Sequence, residues 1–132
     1  MSESTYKKGQ FFWSDLTVPD ATSLKDFYKE VIGWQEMEVG MNDNEETYAD
    51  YAMTTDDGTA VSGICNQRGV NKNIPPQWIM YVNVENVAES LEKVLQLGGK
   101  LISESKKKDG SYNYIIVQDP VGAVFGLGTT TN

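Results

Sequence analysis

Asp119-Pro120-Val121-Gly122-Ala123-Val124-Phe125-Gly126-Leu127 repeats the pattern of Asp56-Asp57-Gly58-Thr59-Ala60-Val61-Ser62-Gly63-Ile64 at an offset of 63 residues. Asp56, Ala60, Val61, Gly63 and Ile64 fall on Asp119, Ala123, Val124, Gly126 and Leu127. Each copy reads as an acidic turn followed by a short strand. Working outward, the likeness continues upstream at an offset of 66: Leu16 falls on Val82, Val18 on Val84, Val31 on Leu97 and Gly33 on Gly99. That offset is half of the 132-residue chain. The repeat predicts two copies of one supersecondary unit. Each is too small to bury its own sheet face well, so the two are expected to pack together.

The elements within each half follow from periodicity and punctuation. Phe11 to Val18 is aromatic and β-branched and reads as a strand. Pro19 stops it, and Asp20 is placed to cap a helix over Ala21 to Ile32, with Leu24, Phe27, Tyr28 and Val31 on one face and Gly33 closing it. Three strands are predicted near Trp34 to Val39, Thr47 to Thr54 and Thr59 to Cys65, then a polar loop from Asn66 to Pro76. The pattern starts again with a strand over Gln77 to Val84 and a helix over Val87 to Leu97 behind Asn86. Strands near Lys100 to Glu104, Tyr112 to Gln118 and Ala123 to Gly128 complete it. The expected organisation is a flexible N-terminus over 1–10 and a single domain over 11–132. Module one is 11–66, a linker 67–76, and module two 77–132.

Composition narrows the chemistry. There is no histidine, so no Ser-His-Asp or Cys-His pair and no imidazole general base can be built from this sequence. The common His-type zinc site is excluded with them. Eleven Lys plus Arg against nineteen Asp plus Glu leave a net charge of −8, which argues against nucleic acid and favours neutral or cationic partners. The charge is uneven: residues 1–57 carry thirteen acids and four lysines, and Glu36 to Asp57 holds eight acids and no base. That run reads as a solvated hairpin with acidic turns or as an electrostatic lip for a cation. One cysteine, Cys65, allows no intrachain disulfide, which fits a reducing compartment. Met1 to Gln10 is polar, without the apolar core of a signal segment, and no stretch approaches the roughly 20 apolar residues of a membrane helix. The expectation is a soluble cytoplasmic domain with no membrane partner.

Three stretches carry a family resemblance: Trp13-Ser14-Asp15-Leu16-Thr17-Val18-Pro19-Asp20 leading to Phe27-Tyr28 and Gly33-Trp34; Trp78 to Val87 running on to Leu97-Gly98-Gly99; and Asp119 to Leu127. Together they resemble the glyoxalase / bleomycin resistance protein / extradiol dioxygenase group, the vicinal oxygen chelate (VOC) superfamily. The resemblance implies an α+β fold of two tandem βαβββ modules, curved mixed sheets around a cleft, helices outside, and a tendency to form homodimers. The metal enzymes of that group place ligands on the first and last strand of each module. Carried over by register, those stations are Trp13, Ile79, Gly63 and Gly126. None can ligate through its side chain, so no metal and no cofactor is expected.

Strand alternation turns Leu16 and Val18 toward the helix and Phe11, Trp13, Asp15 and Thr17 toward the cleft. In module two Ile79, Tyr81 and Asn83 take the cleft side. Tyr51 and Tyr114, related at the offset of 63, are expected in equivalent places, either on the cleft wall or in the helix-side core. Gly63 and Gly126 would leave room and bring backbone close to a ligand. The expected ligand-binding set is therefore Trp13, Asp15, Tyr51, Gly63, Ile79, Tyr81, Tyr114 and Gly126. Trp13 and Trp78 also read as ordinary aromatics bridging the modules. Asp15 stands out as a carboxylate amid Phe12, Trp13 and Leu16. It either pairs with a lysine or backbone amides, or faces the cleft as an anchor for a cation or as a base and candidate catalytic residue.

The leading reading is a metal-free small-molecule-binding protein holding a small aromatic or cationic ligand in the inter-module cleft. The alternatives are a metal-independent isomerase or lyase using Asp15 as base and a tyrosine hydroxyl as acid, and a module acting only through association. Metal-dependent lactoylglutathione lyase or extradiol dioxygenase chemistry is disfavoured by the missing ligands.

Overall fold

The computed structural model describes residues 6–130. The chain divides into two compact units, one from Ser14 to Trp78 and one formed by the residues up to Trp13 together with those from Ile79 onward. Each is a βαβββ module of α+β class.

Module one contains most of β1 (Phe11–Val18), then α1 (Ala21–Ile32), β2 (Gln35–Asp43), β3 (Glu46–Thr54) and β4 (Ala60–Asn66). Its strands lie in the order β2-β3-β4-β1, with β1 parallel to β4 and the other pairs antiparallel. Helix α1 starts where sequence places it, because the Asp20 carboxylate accepts the Ser23 N–H at 3.1 Å. It ends at Gly33, whose φ of 90° is left-handed and whose N–H reaches Lys29 O at 2.8 Å. The helix packs on Leu16, Val18, Tyr51, Met53 and Ile64. Burying Met53 and Ile64 completely contributes about 1.5–3 kcal/mol each. Strand β2 runs four residues past its predicted end. Asp43 pairs with Glu46 across a tight turn in which Asn44 takes φ 60°, so pairing continues to the hairpin tip.

Module two follows a short connection, in which a 3₁₀ turn over Gly69–Asn71 precedes the buried Ile74. It comprises β5 (Trp78–Asn83), α2 (Val87–Gln96), β6 (Lys100–Lys106), β7 (Tyr112–Gln118) and β8 (Val124–Gly128), ordered β5-β8-β7-β6. Asn86 caps α2 by accepting the Glu89 N–H at 3.0 Å. Val87, Ile115, Val117 and Leu127 form the core beneath the helix. Of the expected flexible N-terminus, positions 1–5 lie outside the described residues. Residues 6–10 dock on module two, with Gly9 N–H donating to Asn83 O at 2.7 Å and Asn83 N–H to Gln10 O at 2.8 Å.

The internal repeat is real in the backbone, but its register is not uniform. Asp15 lies opposite Gly63 and Leu16 opposite Ile64; Tyr81 lies opposite Gly126 and Val82 opposite Leu127. These pairs keep the offsets of 66 and 63 read from the sequence. Across the next strand, Tyr51 faces Ile64 whereas Ile115 faces Leu127, an offset of 64. The extra residue is Val61. Met53 pairs with Ser62 and Thr54 with Ala60, so Val61 is bulged out, while Val117 to Gln118 runs evenly against Phe125 to Val124. The turns follow the same shift: Thr55 N–H bonds Thr59 O as Asp119 N–H bonds Ala123 O, and Gly58 and Gly122 are the left-handed positions. Thr55, not Asp56, is therefore the counterpart of Asp119.

Two glycines at repeat-related sites tolerate a methyl group very differently. A Cβ on Gly126 would stand 2.3 Å from the Tyr81 ring, whereas one on Gly63 would meet the Asp15 Cβ at 3.4 Å. Gly126→Ala is expected to cost about 1–3 kcal/mol by displacing that buried ring, and Gly63→Ala less than about 1 kcal/mol, both read from urea unfolding midpoints. The β3–β4 turn gives a pH signature. The Thr55 and Thr59 hydroxyls and the Thr59 N–H all donate to the Asp57 carboxylate and hold its pKa down to about 2. With the folded value depressed, the turn's contribution is complete above pH about 4, the ordinary aspartate range. It is lost as pH falls through 2, and a carbon-detected carboxyl titration should find the Asp57 midpoint there rather than near 4.

Candidate functional site

The sheet faces opposite the two helices hold most of the expected site residues, Tyr51 excepted. In module one, Leu16, Tyr51 and Ile64 point to α1, so their strand neighbours Asp15, Asp50 and Cys65 point away from it. Asp15 is half-buried and stands over Gly63. Asp50, 6% exposed, accepts from the Asn66 backbone N–H at 2.9 Å and from Asn66 Nδ2 at 3.0 Å. Asn66 Oδ1 in turn accepts the N–H of Ala21, at the start of α1, at 3.0 Å. The Cys65 thiol is pushed far up, first by burial and then by the negative charges of Asp15 and Asp50. That shift marks the face as acidic, with both carboxylates within electrostatic reach of one sulfur. Met37 and Val39, on the same face by their pairing with Ala52 and Asp50, are exposed at its margin.

Asp50 was not singled out from sequence. Its signal was present, an aspartate at mid-strand between Ala49 and Tyr51, but it was hidden inside the run of eight acids that read as turns. Tyr51 lies in the helix-side core, the second of its two expected placements. Its hydroxyl bonds Thr22 Oγ1 at 2.8 Å and Lys25 Nζ sits 5.1 Å from its ring centre. Arg68 grips the β2–β3 hairpin tip, 2.7 Å from Glu46 and 3.4 Å from Asp43, with its guanidinium 4.4 Å over the Tyr48 ring.

In module two the face opposite α2 carries Ile79, Tyr81, Asn83 and Ile116, all buried. Tyr81 lies across Gly126, so the space a glycine leaves is filled by an aromatic ring of the same module. Tyr114 meets Tyr81 edge-on with centroids 5.8 Å apart, on the opposite face from Ile115. Tyr51 and Tyr114 therefore do not occupy equivalent places. The Val61 bulge shifts the register by one residue, and one residue along a strand reverses the face. Phe12, which drew attention only as a neighbour of Asp15, extends this aromatic row, 6.2 Å from Tyr81 and 6.0 Å from Tyr6. Trp13 is half-buried and belongs to this unit. Trp78 belongs to module one, where it donates from Nε1 to the Tyr28 hydroxyl at 3.3 Å and packs edge-on against Tyr28 and Trp34.

The metal stations of the VOC enzymes can be tested on this chemistry. Trp13, Gly63, Ile79 and Gly126 offer an indole, two bare backbones and an aliphatic chain. Among the described residues no group of three or more Cys, Asp or Glu side chains converges as a metal site. The residues present do not fit a catalytic metal at those stations.

Two βαβββ modules with a βα connection capped by Asp20 or Asn86, and with Gly63 and Gly126 on the last strands, define a protein of the glyoxalase/bleomycin resistance/dioxygenase superfamily. Residues 12–128 match the model of the glyoxalase-like domain, and the chain belongs to that family. Two curated relatives, from Mycobacterium bovis and Mycobacterium tuberculosis and each named "Putative glyoxylase CFP32", are 31% identical over 127 residues. The match covers 94% of this chain and 47% of theirs, so the chain spans about half the length of these relatives. A solved structure of a superfamily member from Vibrio splendidus 12B01 superposes with a TM-score of 0.54 at 16% identity, covering 89% of this chain and 97% of that one. At that identity the likeness shows the fold. Among the described residues no helix is long and apolar enough to cross a membrane.

The Cys65 environment makes a direct prediction. In native protein at pH 8 a small disulfide reagent should label Cys65 much more slowly than a free cysteine. Asp15→Asn should speed labelling several-fold by removing one of the charges that oppose the thiolate.

Proposed function

We propose that this chain is a small-molecule-binding member of the glyoxalase-like family that captures a small, planar, cationic ligand without a metal. The observation that carries the reading is Asp15, half-buried on the sheet face of module one opposite α1, with the buried Asp50 adding negative charge on that face and exposed Met37 and Val39 at its margin. A carboxylate beside apolar side chains, with a second negative charge buried near it, suits a ligand with an apolar body and a positive charge. The stations that hold metal in the enzymes carry no ligating side chains here, so the reading needs neither metal nor cofactor. It includes a homodimer and a cytoplasmic location, as the family resemblance and the single thiol imply.

The same carboxylate supports a second reading, in which Asp15 is the general base of a metal-independent isomerase or lyase. Both turn on one variant. Titration of N-methylquinolinium against neutral quinoline at pH 8 should show one site per chain that prefers the cation. Asp15→Asn should weaken the cation about tenfold and leave the neutral compound nearly unchanged. Equal affinity for the two compounds, unaltered by the substitution, would sink the binding reading. Turnover of a substrate that is lost in Asp15→Asn while binding is retained would select the second. Activity that tracks a stoichiometric transition metal would overturn both.

A further inference from the structure

A cavity of about 290 Å³ opens on the helix side of module two. Ser90, Lys93, Val94 and Leu97 of α2 and its C-terminal end form one wall; Phe125 and Leu127 of β8 form the other. Pro120 and Asp119 close one end. The size lies near the lower bound of small-molecule sites, about 300 Å³, and the lining is largely apolar.

The repeat explains why a hole exists here. At the offset of 66, Val94 stands where module one has Tyr28, and Lys100 where module one has Trp34. In module one those two rings pack on each other and on Trp78, with centroids 5.2 to 6.4 Å apart, and fill the space beneath the helix. Module two keeps the same helix and strands but substitutes a smaller aliphatic residue and an exposed lysine. The backbone cannot collapse to close the gap. Gly99 already brings the chain so close that a Cβ there would stand 2.7 Å from both Val94 Cγ1 and Gln118 O.

The polar groups at the rim decide the ligand. Lys93 is exposed and makes no ion pair among the described residues. The Asp119 carboxylate is committed to its own turn, accepting from Val121 N–H at 2.9 Å and Ala123 N–H at 3.0 Å. The cation is thus the rim charge free to meet a ligand. We propose that this cavity is a binding site for a small amphipathic carboxylate, with its hydrocarbon part between Val94, Leu97, Phe125 and Leu127 and its carboxylate at Lys93.

Octanoate, with 1-octanol and octylamine as controls, tests this in the full chain by amide chemical-shift titration. Octanoate should shift the amides of Val94, Leu97 and Phe125 and bind more tightly than either control. Lys93→Gln should weaken octanoate about two- to fivefold and leave octanol unchanged, as one exposed charge pair predicts. Val94→Tyr, which installs the module-one residue, should abolish binding of all three. Preference for octylamine, shifts confined to other residues, or octanoate binding that survives both substitutions would each overturn the proposal. Lys93→Gln lies on the surface and keeps the test decisive if Val94→Tyr does not fold.

Discussion

A strand presents alternate residues to opposite faces, so everything in each module depends on which residue of β1 or β5 lies opposite which residue of β4 or β8. The parallel pairings set Asp15 against Gly63 and Tyr81 against Gly126. From those two contacts follow the helix-side cores beginning at Leu16 and Val82, and with them the residues that must face the other way. The glycines make the pairings possible in different measure. At Gly126 a buried ring occupies the place of a side chain, while at Gly63 the nearest atom, the Asp15 methylene, stays at ordinary contact distance. One topology therefore supports an acidic face in one module and an aromatic one in the other.

Much of this was legible before any coordinates. Both helices could be placed from their caps, because Asp20, Asn86 and Gly33 act through local hydrogen bonds that need no tertiary partner. The succession of one strand, one helix and three strands in each module was legible in the repeat itself. What sequence could not supply was the Val61 bulge. Letter identity between Asp56 and Asp119 favoured a constant offset of 63 through the turn, whereas the backbone equates Thr55 with Asp119 and absorbs the extra residue only after Ala60. A bulge depends on how two strands pair and leaves little trace in one of them. Its effect was to put Tyr51 and Tyr114 on different faces although their letters match.

The candidate site was legible in part for a related reason. Asp15 was conspicuous because its neighbours are apolar. Asp50 was not, because acidic residues crowd the segment around it and most of those are exposed. Burial, not composition, distinguishes Asp50, and its hydrogen bonds from Asn66 tie that acid to the start of α1. Tyr28, Trp34 and Trp78 show the opposite case, aromatic residues of obvious interest whose role is to fill the space under a helix.

The placement of Cys65 bears on how the chain ages. With a single sulfhydryl, any disulfide must join two separate molecules or a molecule and a low-molecular-weight thiol. Oxidation proceeds through the ionised sulfur. Burial first, and then the negative charges of Asp15 and Asp50, keep that atom protonated. The packing around Cys65 therefore guards against oxidative cross-linking between copies.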